Sequence, residues 1–127
     1  MPISRLDHVT ICARDVRRSV DFYRVIVGLE LGPRPGFSFD GAWLYAGGIP
    51  VVHIIDREAA TDRGVIDHFA FTATDLAAYL EVLRARSIPF DLAVLPPGVP
   101  QSGTRQLFFR DPDGARIELD FAPDENS

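Results

Sequence analysis

The chain has 127 residues, 46% of them hydrophobic and 24% charged, and a formal net charge of −5, which suits one compact domain or two small halves with a common core. An acidic chain whose arginines are scattered, apart from Arg14, Arg17, Arg18 and Arg24 about one helix, speaks against nucleic acid as a partner. No apolar run approaches the roughly 18 residues of a membrane span, the opening "MPISRLDH" has no apolar signal core, and Cys12 is the single cysteine, so cytoplasmic residence is the expectation.

Residues 6–12, "LDHVTIC", predict a β-strand from their β-branched content. Asp15 then reads as an N-cap, and Val16, Val20 and Tyr23 as one face of a helix that Gly28 stops. Strands follow at about 29–32, 42–46 and 50–55, the last two joined by the tight Gly47-Gly48 turn. The pattern then restarts. Residues 66–72 predict a strand, Asp75 an N-cap, Leu76, Leu80 and Leu83 a helical stripe, and Ser87-Ile88-Pro89 its end. Strands at about 90–95, 105–110 and 115–121 complete this half, with "PPGVPQSG" between the first two and the turn "DPDG" (111–114) between the last two. Only the tail "APDENS" reads as a frayed end.

Each half is therefore β-α-β-β-β. A shift of 60 residues lays "LDHVTICARDVRRSVDFY" over "IDHFAFTATDLAAYLEVL" without a gap, with Asp7/Asp67, His8/His68, Ala13/Ala73 and Asp15/Asp75 identical. A repeat of this kind decides the architecture. The fold class is α+β: two tandem βαβββ modules, at about 3–57 and 63–122, within a single domain of 1–127.

Strand alternation separates the two faces of each module. Val9 and Ile11 share the greasy face that a helix should cover, and His8, Thr10 and Cys12 the other. In the repeat, Phe69 and Phe71 oppose His68, Ala70 and Thr72. On the last strands, His53 lies between Val51 and Ile55, and Glu118 between Arg116 and Asp120, again on the non-helix face. All three histidines of the chain thus fall at repeat-related positions, and the fourth such position holds a glutamate. Imidazole and carboxylate together form a ligand set for divalent Zn, Fe, Ni, Mn or Co, so His8, His53, His68 and Glu118 are candidate metal ligands. Arg105, Gln106, Trp43, Tyr45 and Phe37 lie where they could floor or lid a cleft, with Arg105 suited to a substrate carboxylate. Asp7 and Asp67 alternate away from the ligand face and read as strand-end or interface residues.

Paired βαβββ modules with Asp-His strands and the late "FFRDPDGARIELDF" (108–121) resemble the vicinal oxygen chelate superfamily, which includes glyoxalase I, extradiol dioxygenases, and the fosfomycin- and bleomycin-resistance proteins. The likeness covers about residues 3–122. It implies a curved mixed sheet around a cleft, a divalent ion (Ni, Zn, Mn, Co or Fe(II)) and a small-molecule substrate that chelates it through two adjacent oxygens. His8, His68 and Glu118 match the family's two histidines and carboxylate. His53 falls where glyoxalase I carries Glu or Gln as a further ligand, and near a second-sphere acid/base histidine of the extradiol dioxygenases. Phe108 stands where those dioxygenases carry a tyrosine. The resemblance implies a homodimer and a glyoxalase-like lyase or isomerase, with Glu118 and His53 as catalytic groups. A small Fe(II) dioxygenase and a non-catalytic ligand-binding or resistance protein are the alternatives.

Overall fold

The computed structural model describes residues 5–58, 66–98 and 101–124. The expected module limits near 3 and 63 lie outside the described residues, as do Val99 and Pro100 of the middle loop and the last three residues of the tail. The chain divides into two compact units, Met1–Ala60 and Thr61–Ser127.

The first unit runs β1 (Val9–Ala13), α1 (Val16–Phe22), a π-helical turn (Tyr23–Val27), β2 (Glu30–Gly32), β3 (Gly41–Ala46) and β4 (Ile49–Asp56). The second runs β5 (Phe69–Thr72), α2 (Leu76–Ala85), β6 (Asp91–Val94), β7 (Arg105–Arg110) and β8 (Arg116–Phe121). Each unit holds one four-stranded mixed sheet, ordered β1-β4-β3-β2 in the first and β5-β8-β7-β6 in the second. The opening strand pairs parallel to the last, and the other neighbours are antiparallel. The repeat seen in the sequence is thus a repeat of topology.

Both helices begin as their caps dictate. Asp15 accepts from the backbone N–H of Arg18, and Asp75 from that of Ala78. The first helix departs from the simple expectation after Phe22. The backbone N–H groups of Gly28 and Leu29 both reach the carbonyl of Tyr23, which widens the last turn to π geometry. The β-branched run Val25-Ile26-Val27 crowds an α-turn, and Gly28 supplies the left-handed φ of 94° that ends it.

Alternation sorts the strands as expected from β1 onward. Ile11, Leu44, Val52 and Ile54 are buried in the first unit, and Leu107, Ile117, Leu119 and Phe121 in the second. Burying one such side chain stabilises by about 1.5–3 kcal/mol. The opposite face carries the candidate site. In register, His53 lies between Thr10 and Trp43, and Glu118 between Ala70 and Phe108. His53 and Glu118 occupy the same place in their two sheets. The opening strands start later than the sequence suggests, at Val9 and Phe69, and Leu6 and Ile66 before them are 79% and 68% exposed.

Candidate metal centre

His8 and His68 each precede their strand by one residue. The pleat therefore does not force neighbours there onto opposite faces. This corrects the reading of Asp7 and Asp67 as residues that turn away. Asp7 Oδ1 lies 2.8 Å from Nδ1 of His8, and Asp67 Oδ2 lies 2.8 Å from Nδ1 of His68. An ionised carboxylate only accepts, so each Nδ1–H donates. That hydrogen bond is the main reason both aspartates are held below the usual carboxylate range. Arg116 adds a second bond to Asp67, at 3.0 Å.

In the second unit, His68 Nε2 stands 3.0 Å from Oε1 of Glu118. Glu118 is buried, with 6% of its surface exposed, and Gln106 donates to its other oxygen at 3.1 Å. With Nδ1–H given to Asp67, Nε2 is the ring atom left to face a carboxylate oxygen. Such a pair is stable only when it shares a positive charge, a proton or a cation. Two neighbouring donors bound at about 2.1 Å to one ion lie roughly 3 Å apart, so the pair has the spacing and the chemistry of a divalent-metal edge. Asp120 lies two residues on, along the same face. Burial, and then the neighbouring Glu118, push its carboxyl up to about 6. Phe108 meets the His68 ring edge-on at 6.0 Å and carries the Arg116 guanidinium 4.3 Å above its own face. A cavity of about 240 Å³ opens beside it, with Phe90, Asp91, Arg110 and Arg116 in its wall.

The first unit is built differently. The rings of His8 and His53 stack with centroids 3.8 Å apart and planes 11° from parallel, and Trp43 stacks on the His53 ring at 4.1 Å and 11°. His53 is held in this sandwich by its Nε2–H, which donates to the Pro50 carbonyl at 3.0 Å. Its lone pair is therefore on Nδ1. Burial first, and the adjacent His8 second, hold the His53 imidazole below its usual range and keep it neutral. Phe37 packs at 6.5 Å from Trp43 and stacks on Phe39, and Arg34 lies over both rings. Tyr45 donates its hydroxyl to the Pro33 carbonyl and fixes the start of this loop.

The structure thus brings the four candidate residues together as two pairs, His8 with His53 and His68 with Glu118. Among the described residues, no group of three or more His, Cys, Asp or Glu side chains forms a metal-holding cluster. Gln106 touches Glu118 and Trp43 touches His53, whereas Arg105 lies on β7 opposite Val94 and Phe121. Sequence reasoning missed Arg116, whose signal was its place two residues before Glu118 on one face. It also missed the aspartates' contact with the histidines, for which the repeated Asp-His dipeptide was the signal. No helix is long and apolar enough to cross a membrane among the described residues.

Residues 5–119 match the Glyoxalase/Bleomycin resistance protein/Dioxygenase superfamily. A curated relative, Glyoxylase I 4 of Arabidopsis thaliana, is 30% identical over 125 residues, which cover 92% of this chain and 70% of that one. An antibiotic binding protein of Streptomyces sp. CB03234 has a crystal structure similar to this chain, with a TM-score of 0.70, 25% identity, and coverage of 96% and 98%. The fosfomycin resistance protein FosX of Listeria monocytogenes shares the fold with a TM-score of 0.71, at 21% identity and 95% coverage of both chains. The chain belongs to the Glyoxalase/Bleomycin resistance protein/Dioxygenase superfamily.

Proposed function

We propose that the protein is a metal-dependent, glyoxalase-like lyase or isomerase acting on a small molecule that offers two adjacent oxygens, such as a hydroxy-ketone or an α-keto acid. The observation that carries this reading is the His68 Nε2 to Glu118 Oε1 spacing of 3.0 Å, with the other ring nitrogen already given to Asp67. His68 and Glu118 would hold a divalent ion, and the repeat offers His8 as a further ligand. When bound, that ion supplies Lewis acidity to the two substrate oxygens and stabilises the charge left when a C–H proton departs.

The chain's own residues move the proton. His53 is neutral, with its lone pair on Nδ1 and its Nε2–H fixed by Pro50, which are the properties of a positioned general base. It takes the proton from the carbon beside the carbonyl and returns it to the adjacent carbon. Gln106 holds the second oxygen of Glu118 and keeps that carboxylate oriented. Arg116 and Arg110, in the wall of the cavity beside Phe108, suit an anionic end of the substrate better than Arg105 does.

The test is elemental analysis of the purified protein beside His68→Ala and Glu118→Ala, followed by a screen of chelating ketones for exchange of the α-proton. One ion per chain that both variants lose, with exchange in the wild type alone, supports the reading. A wild type that binds no divalent ion after reconstitution would overturn it. The half-exposed Phe37 and Phe39 beside Trp43 would then favour the second reading, a binding protein that stacks an aromatic ligand.

A further inference from the structure

We propose that Asp7 and Asp67 are positioning residues, each setting the tautomer of the histidine that follows it so that Nε2 carries the lone pair. The inference rests on the metal reading above and gives the repeated Asp-His dipeptide a task. The two contacts are the same in kind and length, Oδ to Nδ1 at 2.8 Å in both units. Side chains of adjacent residues rarely meet within a pleated strand. Here they meet because both dipeptides lie just before their strands, at Val9 and Phe69.

A purely structural role does not account for the arrangement. The side chains of Asp7 and Asp67 are 75% and 60% exposed. Exposed ion pairs of this kind add little to fold stability. What the contact does fix is chemistry. A carboxylate that accepts from Nδ1–H excludes the Nε2–H tautomer, restrains ring rotation and raises the basicity of Nε2. In the second unit Nε2 is the atom that faces Glu118, at 3.0 Å.

The two aspartates are not equally supported. Arg116 grips Asp67 at 3.0 Å and is itself laid over Phe108, whereas Arg5 approaches Asp7 only to 3.9 Å. The positioning is therefore firmer at His68 than at His8, and loss of Asp67 has the larger effect.

The experiment uses the metal-free full chain with ¹⁵N-labelled histidine at about pH 8, above the ordinary histidine range. Long-range ¹H–¹⁵N spectra assign the tautomer of each ring in the wild type, Asp7→Ala and Asp67→Ala. A parallel competition titration with Zn(II) reads affinity, and Asp67→Asn serves as the shape-conserving variant. The expected result is a proton held on Nδ1 of His8 and of His68, lost ring by ring in the matching alanine variant. Zn(II) affinity falls about 10–100-fold, most for Asp67→Ala, with Asp67→Asn between it and the wild type. Tautomers indifferent to the aspartates would overturn the proposal whatever the metal does, and so would Zn(II) affinity unchanged in both alanine variants. A wild type that takes up no Zn(II) while its tautomers still follow the aspartates would instead overturn the metal reading and support the tautomer assignment.

Discussion

Replacing His53 with Ala should leave a divalent ion bound and remove the chemistry. An imidazole binds a metal in the plane of its ring, along the nitrogen lone pair, at about 2.0–2.1 Å. The planes of His8 and His53 are about 3.8 Å apart and tilted by 11°, so they meet roughly 20 Å away, this being the separation over the tangent of the tilt. That is ten times a metal–nitrogen bond, so one ion cannot serve both rings as they are stacked. With His8 a ligand, His53 is not one, and its Nδ1 is left to take a proton. The expected metal content of His53→Ala is that of the wild type, and Zn(II) affinity changes by less than about tenfold, the lower bound for loss of a ligand's support. Exchange of the substrate α-proton falls about 10²–10⁴-fold, the usual contribution of a general base. His53→Gln, which keeps a planar group against Trp43, guards against a packing artefact. Loss of the ion from both His53 variants, to the extent seen for Glu118→Ala, would refute the reasoning and restore His53 as a fourth ligand.

Three further outcomes follow from the packing and titration of each unit. Leu107→Ala, at a fully buried position of β7, should cost about 2–5 kcal/mol in urea unfolding; a loss below about 1 kcal/mol would mean the second core is looser than described. Ser87→Gly should stabilise by up to about 1 kcal/mol, because Ser87 holds a φ of 55° just past the C-terminus of α2; a lower unfolding midpoint would count against strain there. Burial, and then Asp75, raise the Tyr79 hydroxyl above its usual range, so the folded chain holds that proton longer than the unfolded one. The associated stability is complete below about pH 10 and is lost as pH rises through the folded value, so Tyr79→Phe should lose less stability than the wild type between about pH 9 and 11, and equal losses would deny the effect.

The repeat, the element order and the alternation of faces were legible because each rests on short-range chemistry. Asp15 and Asp75 cap, Gly28 stops, and Gly47-Gly48 turns, and none of these needs a distant partner. Alternation also placed His53 and Glu118 as counterparts, since both lie well inside their strands. It failed for Asp7 and Asp67 because the strands begin later than their apolar residues suggest. Leu6 and Ile66 extend the hydrophobic pattern, yet neither is buried, so hydrophobicity overstated the strand by three residues and assigned the aspartates a pleat they do not have. Ring stacking was beyond reach for another reason. Whether two histidines converge on an ion or lie face to face depends on χ angles, which residue identity does not encode.

On the proposed reading, one duplicated frame does two jobs. Each unit places an aspartate-supported histidine at the mouth of a parallel strand pair and a second polar residue on the facing last strand. Where that second residue is Glu118, it is negative, and it draws Nε2 of His68 to a shared positive charge. Where it is His53, both groups are imidazoles, and there is no charge to share. Their rings turn face to face instead, Trp43 closes the other side, and Pro50 takes the Nε2–H. A single difference, carboxylate against imidazole at equivalent register, would then separate the proposed ligand pair from a histidine beside a base. On that argument Glu118→His would not rebuild the centre with a third histidine. It would remove the negative charge that orients His68, and the second unit should then hold Zn(II) no better than Glu118→Ala does, whereas retention of wild-type affinity by Glu118→His would show that donor count, not charge, assembles the site.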